Sequence, residues 1–354
     1  MAKPRGTTST RSIDHDSTTG TPPNKSTKSN IMERASLFKR IKFFFQAWAL
    51  KTLMASMFKM MRLTGASKFK PLLPEYTKRY PERPMLQHRV FLPGKQAENG
   101  ERPPLLISIH GGGFVICDPQ VDDHINQHFA QTHNMLVISI NYRLAPTHPY
   151  PTPLHDISST ILSILSDPTL TPLYNPARVS LIGFSAGGNL VLSVAQLPSL
   201  KDKIHSLVPF YPVVDFTDKY KGPYIRTRDG KPDMLEGLAP LFNWAYISPG
   251  VDRSDKLLSP IYADREDIPQ RVFFVVAELD MLAFEAGKMA RLLAGVDDGE
   301  VLLQDEWERN GVRWRKVSDV VHSWTHIPLK GEEEVARLKG LDGLYKDVAD
   351  WLRD

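Results

Sequence analysis

The chain has little cysteine, little net charge and no long uninterrupted apolar run, and each shortage excludes a class of protein. A single cysteine, Cys117, among 354 residues excludes an intramolecular disulfide and fits a cytoplasmic protein in a reducing compartment. Cys117 lies beside no catalytic motif and is expected to be a small buried apolar residue. The net charge of +4 is spread along the chain and predicts no nucleic-acid partner. No metal-site spacing is visible, and we expect no cofactor.

The first 80 residues form two segments of contrasting composition. Residues 1–30 are rich in Thr, Ser, Lys and Pro and poor in large apolar side chains, so we expect a disordered tail. Residues 31–80 begin with a stretch, 31–63, that lacks proline and glycine and mixes Phe, Met and Leu with lysines. It predicts one or two helices, and Lys51 interrupts its longest apolar run, which argues against a membrane span. Two interpretations remain: a helical cap over a pocket, or a basic amphipathic segment on a membrane surface.

Residues 81–354 alternate short apolar runs with helix-compatible segments. Strands are predicted at 89–92, 105–109, 135–140, 179–182, 206–214, 271–277 and 312–317, and helices at 123–133, 156–165, 189–196, 285–293 and 333–352. This alternation predicts an α/β fold with a mostly parallel central sheet and helices on both faces. Residues 215–268 contain no strong strand pattern and are expected to form a cap insertion, with Phe242 and Trp244 as candidate pocket walls.

The pattern Gly183-x-Ser185-x-Gly187 lies between a predicted strand and a predicted helix. A serine on such a tight strand-to-helix turn has space only for glycines two residues away, and its hydroxyl then stands clear of the sheet. Ser185 is therefore a candidate nucleophile. The N–H groups at the start of the following helix would point at the reaction centre.

A second glycine motif, His110-Gly111-Gly112-Gly113, directly follows the strand predicted at 105–109. A run of glycines lets the backbone turn sharply and present N–H groups to a developing oxyanion. We assign the oxyanion donors to the N–H groups of Gly112, Gly113 and Ala186. His110 precedes this loop and is expected to brace it by hydrogen bonding rather than to act as a base.

A nucleophilic serine needs a base, and the base needs an orienting acid. Asp280 follows the strand at 271–277 and His322 follows the last predicted strand, which gives the chain order serine, acid, histidine expected when each group follows a strand. The nearby alternatives are Glu278 and Glu285 for the acid and His326 for the base; loop position favours Asp280 and His322.

Several separate motifs resemble the hormone-sensitive-lipase-like carboxylesterases of the α/β-hydrolase class. The resemblance runs from about residue 105 to 324 and includes the HGGG motif, the glycines around Ser185, and the motifs Tyr142-Arg143-Leu144-Ala145-Pro146, Leu258-Ser259-Pro260 and Glu278-x-Asp280-x-Leu282. It implies an α/β-hydrolase fold with Ser185 as nucleophile, Asp280 as orienting acid and His322 as base.

Four positions depart from the family pattern. Phe184 replaces the aspartate usual before the elbow serine, and Thr147 replaces a usual glutamate. Both changes remove carboxylates that normally help to hold the site together. Ser323-Trp324 replaces the usual Gly-Phe after the histidine, and the larger Trp324 is expected to narrow the pocket.

The sequence therefore predicts a serine carboxylesterase that acts through an acyl-enzyme on a small hydrophobic ester of short or medium chain, such as an acylated secondary metabolite or xenobiotic. Two alternatives stay open. One is a non-hydrolytic ligand-binding protein or biosynthetic catalyst on the same scaffold. The other is a membrane-associated lipase that docks through residues 31–63. The oligomeric state is not predicted.

Overall fold

The computed structural model describes residues 30–64, 73–94, 100–222, 230–296 and 304–354. Its described strands form one nine-stranded sheet in the order β1-β2-β4-β3-β5-β6-β7-β9-β8. Pairing is parallel from β4 through β9 and antiparallel at both margins. The strands are β1 Tyr76–Lys78, β2 His88–Phe91, β3 Leu105–Ile109, β4 Leu136–Ile140, β5 Val179–Phe184, β6 Ser206–Phe210, β7 Arg271–Leu279, β8 Glu306–Arg309 and β9 Val312–Val321.

Seven α-helices accompany this sheet in the described part of the chain. They are α1 Leu37–Thr64, α2 Asp123–Gln131, α3 Thr152–Leu165, α4 Ala186–Val194, α5 Met234–Tyr246, α6 Ala283–Ala294 and α7 Gly331–Arg353. None of them combines the length and apolar character needed to cross a membrane.

Alternate residues of each central strand pack against opposite faces of the sheet. In β3, Leu105 and Ile107 belong to the core shared with α3, α4 and α6, whereas Leu106 belongs to the core shared with α2 and α7. Strand β7 divides in the same way, with Phe274 on the first face and Phe273 on the second. Both faces are apolar because helices cover both, which is why these strands read as continuous apolar runs. The predicted fold class is confirmed.

Two differences from the predicted elements have simple physical reasons. The margin strands β1 and β8 were not predicted, because they are short, largely exposed and carry polar side chains. Helix α3 begins at Thr152, four residues before its predicted start, with Pro153 in its first turn. Proline fits there because the first N–H groups of a helix need no partner within the helix. The predicted disordered tail lies outside the described residues except for Asn30.

Helix α1 packs on helix α5. Phe43 of α1 and Trp244 of α5 have ring centroids 5.7 Å apart, and Ala47 is fully buried at this contact. The segment before α1 is also attached to the region after α5, since Met32 exchanges backbone hydrogen bonds with Val251 and Gly250. Residues 31–60 are thus fixed to the rest of the protein along one side only.

Candidate active site

Ser185 occupies a sharp turn between β5 and α4. Its φ of 54° and ψ of −115° are unfavourable for a residue with a side chain. The flanking glycines make the turn possible, because a Cβ on Gly183 would come closer than 3.0 Å to the carbonyl of Gly187, and one on Gly187 closer than 3.0 Å to the carbonyl of Ile109. The turn is also fixed by the Ser185 N–H, which donates to the Phe210 carbonyl at 2.9 Å.

The structure brings Ser185, His322 and Asp280 together in a hydrogen-bonded chain. His322 Nε2 lies 2.9 Å from Ser185 Oγ, and His322 Nδ1 lies 2.7 Å from Asp280 Oδ2. The other carboxylate oxygen of Asp280 accepts the N–H of Leu282 at 2.9 Å. Asp280 is fully buried and His322 is 3% exposed, so both are shielded from water. With Nδ1 protonated toward Asp280, Nε2 is free to accept the serine proton.

The glycine loop after β3 lies directly beside this turn. A Cβ on Gly111 would lie 2.7 Å from the Phe184 carbonyl and 3.4 Å from Ser185 Cβ. Gly112 and Gly113 have φ values of 104° and 58°, which glycine adopts without strain. Ala186 is the first residue of α4, where helix N–H groups have no partner within the helix. The three predicted oxyanion donors therefore lie on two segments that converge at Ser185.

His110 has the environment of a bracing residue. Its Nδ1 lies 2.9 Å from the Gly111 carbonyl, and its ring stacks on Tyr142 at a centroid distance of 4.3 Å. The Tyr142 hydroxyl donates to the His110 carbonyl at 2.9 Å. Complete burial lowers the pKa of His110 and keeps the ring neutral. These contacts hold the start of the glycine loop.

The alternative acids have other partners. Glu278 accepts the N–H of Asp319 at 2.9 Å. Glu285 is buried and accepts the N–H groups of Val214 and Asp215 at 2.7 and 3.2 Å, where burial raises its pKa well above the usual value. Glu285 therefore links α6 to the segment after β6. Asp280 is the carboxylate that faces the His322 imidazole.

The alternative base and the single cysteine also lie in other environments. His326 Nε2 lies 2.8 Å from Asp122 Oδ1, so this histidine has its own carboxylate. Cys117 is partly buried, and burial raises the pKa of its thiol to about 12. A thiol with so high a pKa is a poor nucleophile at neutral pH. Among the described residues, no group of three or more His, Cys, Asp and Glu side chains could hold a metal ion.

Asp233 is a residue near the site that the sequence analysis missed. It caps α5, accepting the Leu235 N–H at 2.7 Å, and its second oxygen accepts the N–H of Met281 at 2.8 Å. Burial raises the pKa of Asp233, and the nearby Asp280 raises it further. Asp233 thus ties α5 to the residue that follows Asp280. An acidic residue three positions after it, Glu236, is the sequence signal of such a helix start.

The two candidate pocket walls on α5 lie in different places. The Phe242 ring lies against Gly113, so closely that a Cβ on Gly113 would come within 3.0 Å of three ring carbons. Trp244 is directed toward Phe43 of α1 instead. Trp324, expected to narrow the pocket, is 5% exposed and packs on Phe210 and Tyr211.

Comparison with known proteins places the chain in a family. Residues 106–308 match the model of a family described as having the alpha/beta hydrolase fold, and this match spans more than half of the chain. The chain belongs to this family, that of the hormone-sensitive-lipase-like carboxylesterases.

Three relatives illustrate the similarity. The chain is 28% identical over 242 residues to probable carboxylesterase 2 of Arabidopsis thaliana, covering 64% of this chain and 74% of the relative. It is 30% identical over 213 residues to versiconal hemiacetal acetate esterase of Dothistroma septosporum, covering 56% of this chain and 64% of the relative. The esterase of Pyrobaculum calidifontis shares the fold, with a TM-score of 0.63 at 23% identity over 90% of this chain and 99% of that one. Several curated relatives are matched over less than two thirds of their own length.

Proposed function

We propose that this protein is a serine carboxylic ester hydrolase. The observation that carries the proposal is the chain of hydrogen bonds from Ser185 through His322 to Asp280, built on a strained turn that leaves the serine partly exposed. A serine hydroxyl is a weak nucleophile, and this arrangement is the one that activates it. The esterase names of the relatives agree with the proposal.

The mechanism follows from the roles we propose for these groups. His322 removes the proton of Ser185 as Oγ attacks the ester carbonyl, while the N–H groups of Gly112, Gly113 and Ala186 hold the oxyanion. His322 then protonates the departing alcohol, which leaves an acyl-enzyme. The same histidine activates water to release the acid, and Asp280 keeps its imidazole oriented throughout.

The substrate we propose is a small hydrophobic ester with a short or medium acyl chain. The closeness of Phe242 to Gly113 supports this size, because the ring occupies space beside an oxyanion donor. The D. septosporum relative is named for an acetate ester, and this name supports an acylated secondary metabolite as one substrate class. A xenobiotic ester would present the same chemistry.

Hydrolysis of p-nitrophenyl esters from acetate to decanoate tests the proposal. Ser185→Ala is expected to lower kcat by about 10⁴- to 10⁶-fold, because the nucleophile is lost. Ser159→Ala on α3 is the matched control and is expected to retain activity. Turnover that does not depend on Ser185, or no turnover of any ester, would instead favour the non-hydrolytic ligand-binding or biosynthetic alternative.

We also propose that residues 81–354 form a catalytic domain with residues 215–268 as a cap insertion, and that α1 joins this insertion to complete the cap. The contact between α1 and α5 supports this division, as does Phe242, which extends from α5 onto Gly113. Asp233 gives the cap a second connection, at the loop that carries Asp280.

A second candidate function is peripheral membrane contact by a cytoplasmic enzyme through α1. Many large apolar side chains of this helix are exposed, with Phe38 at 77% and Phe45 at 66%. Lysines and arginines alternate with them, and α1 contains no Asp or Glu. Exposed aromatics among cations suit the boundary of an anionic bilayer. This observation supports a membrane-associated lipase as the second candidate.

Flotation with phosphatidylcholine vesicles, with and without phosphatidylserine, tests this candidate. Phe38→Ser/Phe45→Ser is expected to reduce binding to the anionic vesicles while leaving hydrolysis of p-nitrophenyl acetate unchanged. The control is Val335→Ser/Leu338→Ser on α7, whose side chains are also exposed. An equal loss of vesicle binding in both double variants, or no vesicle binding by the unmodified protein, would contradict a docking role for α1.

A further inference from the structure

A second histidine–carboxylate pair lies close to the triad. His326 Nε2 is 2.8 Å from Asp122 Oδ1, and Asp122 is fully buried. Asp122 directly precedes α2, whereas His326 lies four residues after His322, so the pair connects two segments 204 residues apart. A buried carboxylate is costly unless it is hydrogen-bonded, and such a pair therefore holds its two segments firmly together.

The other nitrogen of His326 continues the network. Nδ1 lies 2.8 Å from Thr325 Oγ1 and 3.1 Å from the Tyr211 hydroxyl, and these two hydroxyls also hydrogen-bond to each other. The Asp122 carboxylate can only accept, so Nε2 of His326 carries the proton and Nδ1 accepts from a hydroxyl. Both ring nitrogens of His326 are occupied in this way.

Tyr211 connects this network to the catalytic base. Its ring lies beside the His322 imidazole, with centroids 4.9 Å apart and an interplanar angle of 65°. Its N–H donates to the Val275 carbonyl at 2.7 Å, and its φ of 36° fixes an uncommon backbone conformation at the end of β6. Tyr211 is therefore a rigid wall against which the His322 ring rests.

Phe184, the residue before Ser185, also contacts this network. The position before the serine carries an aspartate in the pattern that the chain resembles, and here it carries an apolar ring. The Phe184 ring meets the His326 ring nearly at right angles, with centroids 5.0 Å apart. The carboxylate that contacts His326 is that of Asp122.

We propose that Asp122 and His326 are positioning residues for His322. Through Tyr211 and Thr325 they keep the His322 imidazole within hydrogen-bond distance of Ser185. This proposal rests on the proposed function, in which His322 is the base. Its physical basis is that a displacement of about 1 Å in a catalytic group costs roughly 10²-fold in rate.

Steady-state kinetics of Tyr211→Phe, Asp122→Asn and His326→Gln on p-nitrophenyl butyrate tests the proposal. Tyr211→Phe is the sharpest variant, because it keeps the ring against His322 and removes only the hydroxyl. We expect each variant to lower kcat by about 10- to 100-fold with KM nearly unchanged, since the substrate pocket is not altered. The double variant Asp122→Asn/His326→Gln is expected to lose no more than the worse single variant, because the two residues act as one unit.

Two further measurements separate positioning from general stability. Thermal unfolding of each variant shows whether the protein is folded at the assay temperature, and the proton NMR resonance of the His322–Asp280 hydrogen bond is expected to shift or broaden in each. His205→Gln replaces a histidine next to the first residue of β6, at the end of the strand away from the site, and is expected to change neither kcat nor this resonance.

Failure of the positioning role can be distinguished from failure of the proposed esterase function. If the unmodified protein depends on Ser185 for turnover but the folded variants keep full kcat and an unchanged resonance, the positioning role is wrong and the esterase proposal stands. A loss of kcat that only follows the unfolded fraction would also overturn it. If the unmodified protein has no Ser185-dependent turnover, the esterase proposal and the positioning role fail together.

Discussion

Phe242 of helix α5 lies directly on Gly113 of the glycine loop, so that this glycine has no space for a side chain. The ring is 9% exposed and stands beside a backbone N–H that we assign to the oxyanion hole. One aromatic side chain of the cap thus limits the volume next to the reaction centre. Under the proposed function, we expect this ring to limit the length of the acyl chain that the site accepts.

We expect Phe242→Ala to move the preferred substrate toward longer acyl chains. Removing the ring leaves apolar space that additional methylenes can fill, each worth about 0.8 kcal/mol of burial. The ratio of kcat/KM for p-nitrophenyl octanoate to that for acetate is expected to rise about 10-fold or more. Trp244→Ala is the matched control, because Trp244 packs on Phe43 instead, and an equal change in that variant would refute the assignment.

Asp280→Asn is expected to lower kcat by roughly 10⁴-fold, because an amide no longer holds His322 in the productive tautomer. Glu278→Gln is the control two residues away, and its carboxylate contacts the N–H of Asp319 rather than the triad. We expect that variant to stay within a few-fold of the original kcat. The reverse order of the two effects would make Glu278 the orienting acid.

His88 gives the folded protein a predictable acid sensitivity. Burial lowers its pKa to about 4, and its Nδ1 accepts the N–H of Asn141 at 3.2 Å, which requires a neutral ring. Between the ordinary histidine pKa of about 6.5 and this value, the unfolded chain binds the additional proton, so stability decreases as pH falls through that window. The contribution of His88 approaches about 1.4 kcal/mol per pH unit within it.

Urea unfolding at several pH values between 7 and 4 checks this prediction, because it gives the slope of the unfolding free energy against pH. We expect His88→Gln to lower the slope of the unfolding free energy against pH by nearly the amount that one proton contributes, about 1.4 kcal/mol per pH unit. This holds whatever the substitution does to stability at pH 7. An unchanged slope in His88→Gln would show that His88 does not contribute.

Much of the fold was predictable because both faces of the sheet are covered. Strands such as β3 and β5 are fully buried and read as mostly apolar runs, each with one serine, with glycine motifs at their ends. The margin strands β1 and β8 gave no such signal. Their stability depends on pairing with β2 and β9, which a local pattern does not contain.

The geometry around the triad was predictable in part for the same reason. Ser185, Asp280 and His322 each follow a parallel strand, and the structure brings His322 within hydrogen-bond distance of both Ser185 and Asp280. The contact of Asp233 with Met281 and the Asp122–His326 pair were not predictable. They join segments far apart in the sequence, and a single aspartate or histidine has no spacing that reveals its partner.

Two glycine-to-alanine variants in helices are expected to have opposite effects on stability. In Gly187→Ala, the new Cβ would meet the Ile109 carbonyl closer than 3.0 Å, and that carbonyl is fixed within the sheet. We expect a loss of about 1–3 kcal/mol or more, together with a loss of activity because the turn that carries Ser185 must shift. In Gly340→Ala on α7, the Cβ meets nothing within 4 Å, so the better helix propensity of alanine is expected to add about 0.5–1 kcal/mol. Unfolding in urea measures the stability of both variants. Equal stability of the two would show that the turn at Ser185 does not pack tightly against β3 at Gly187.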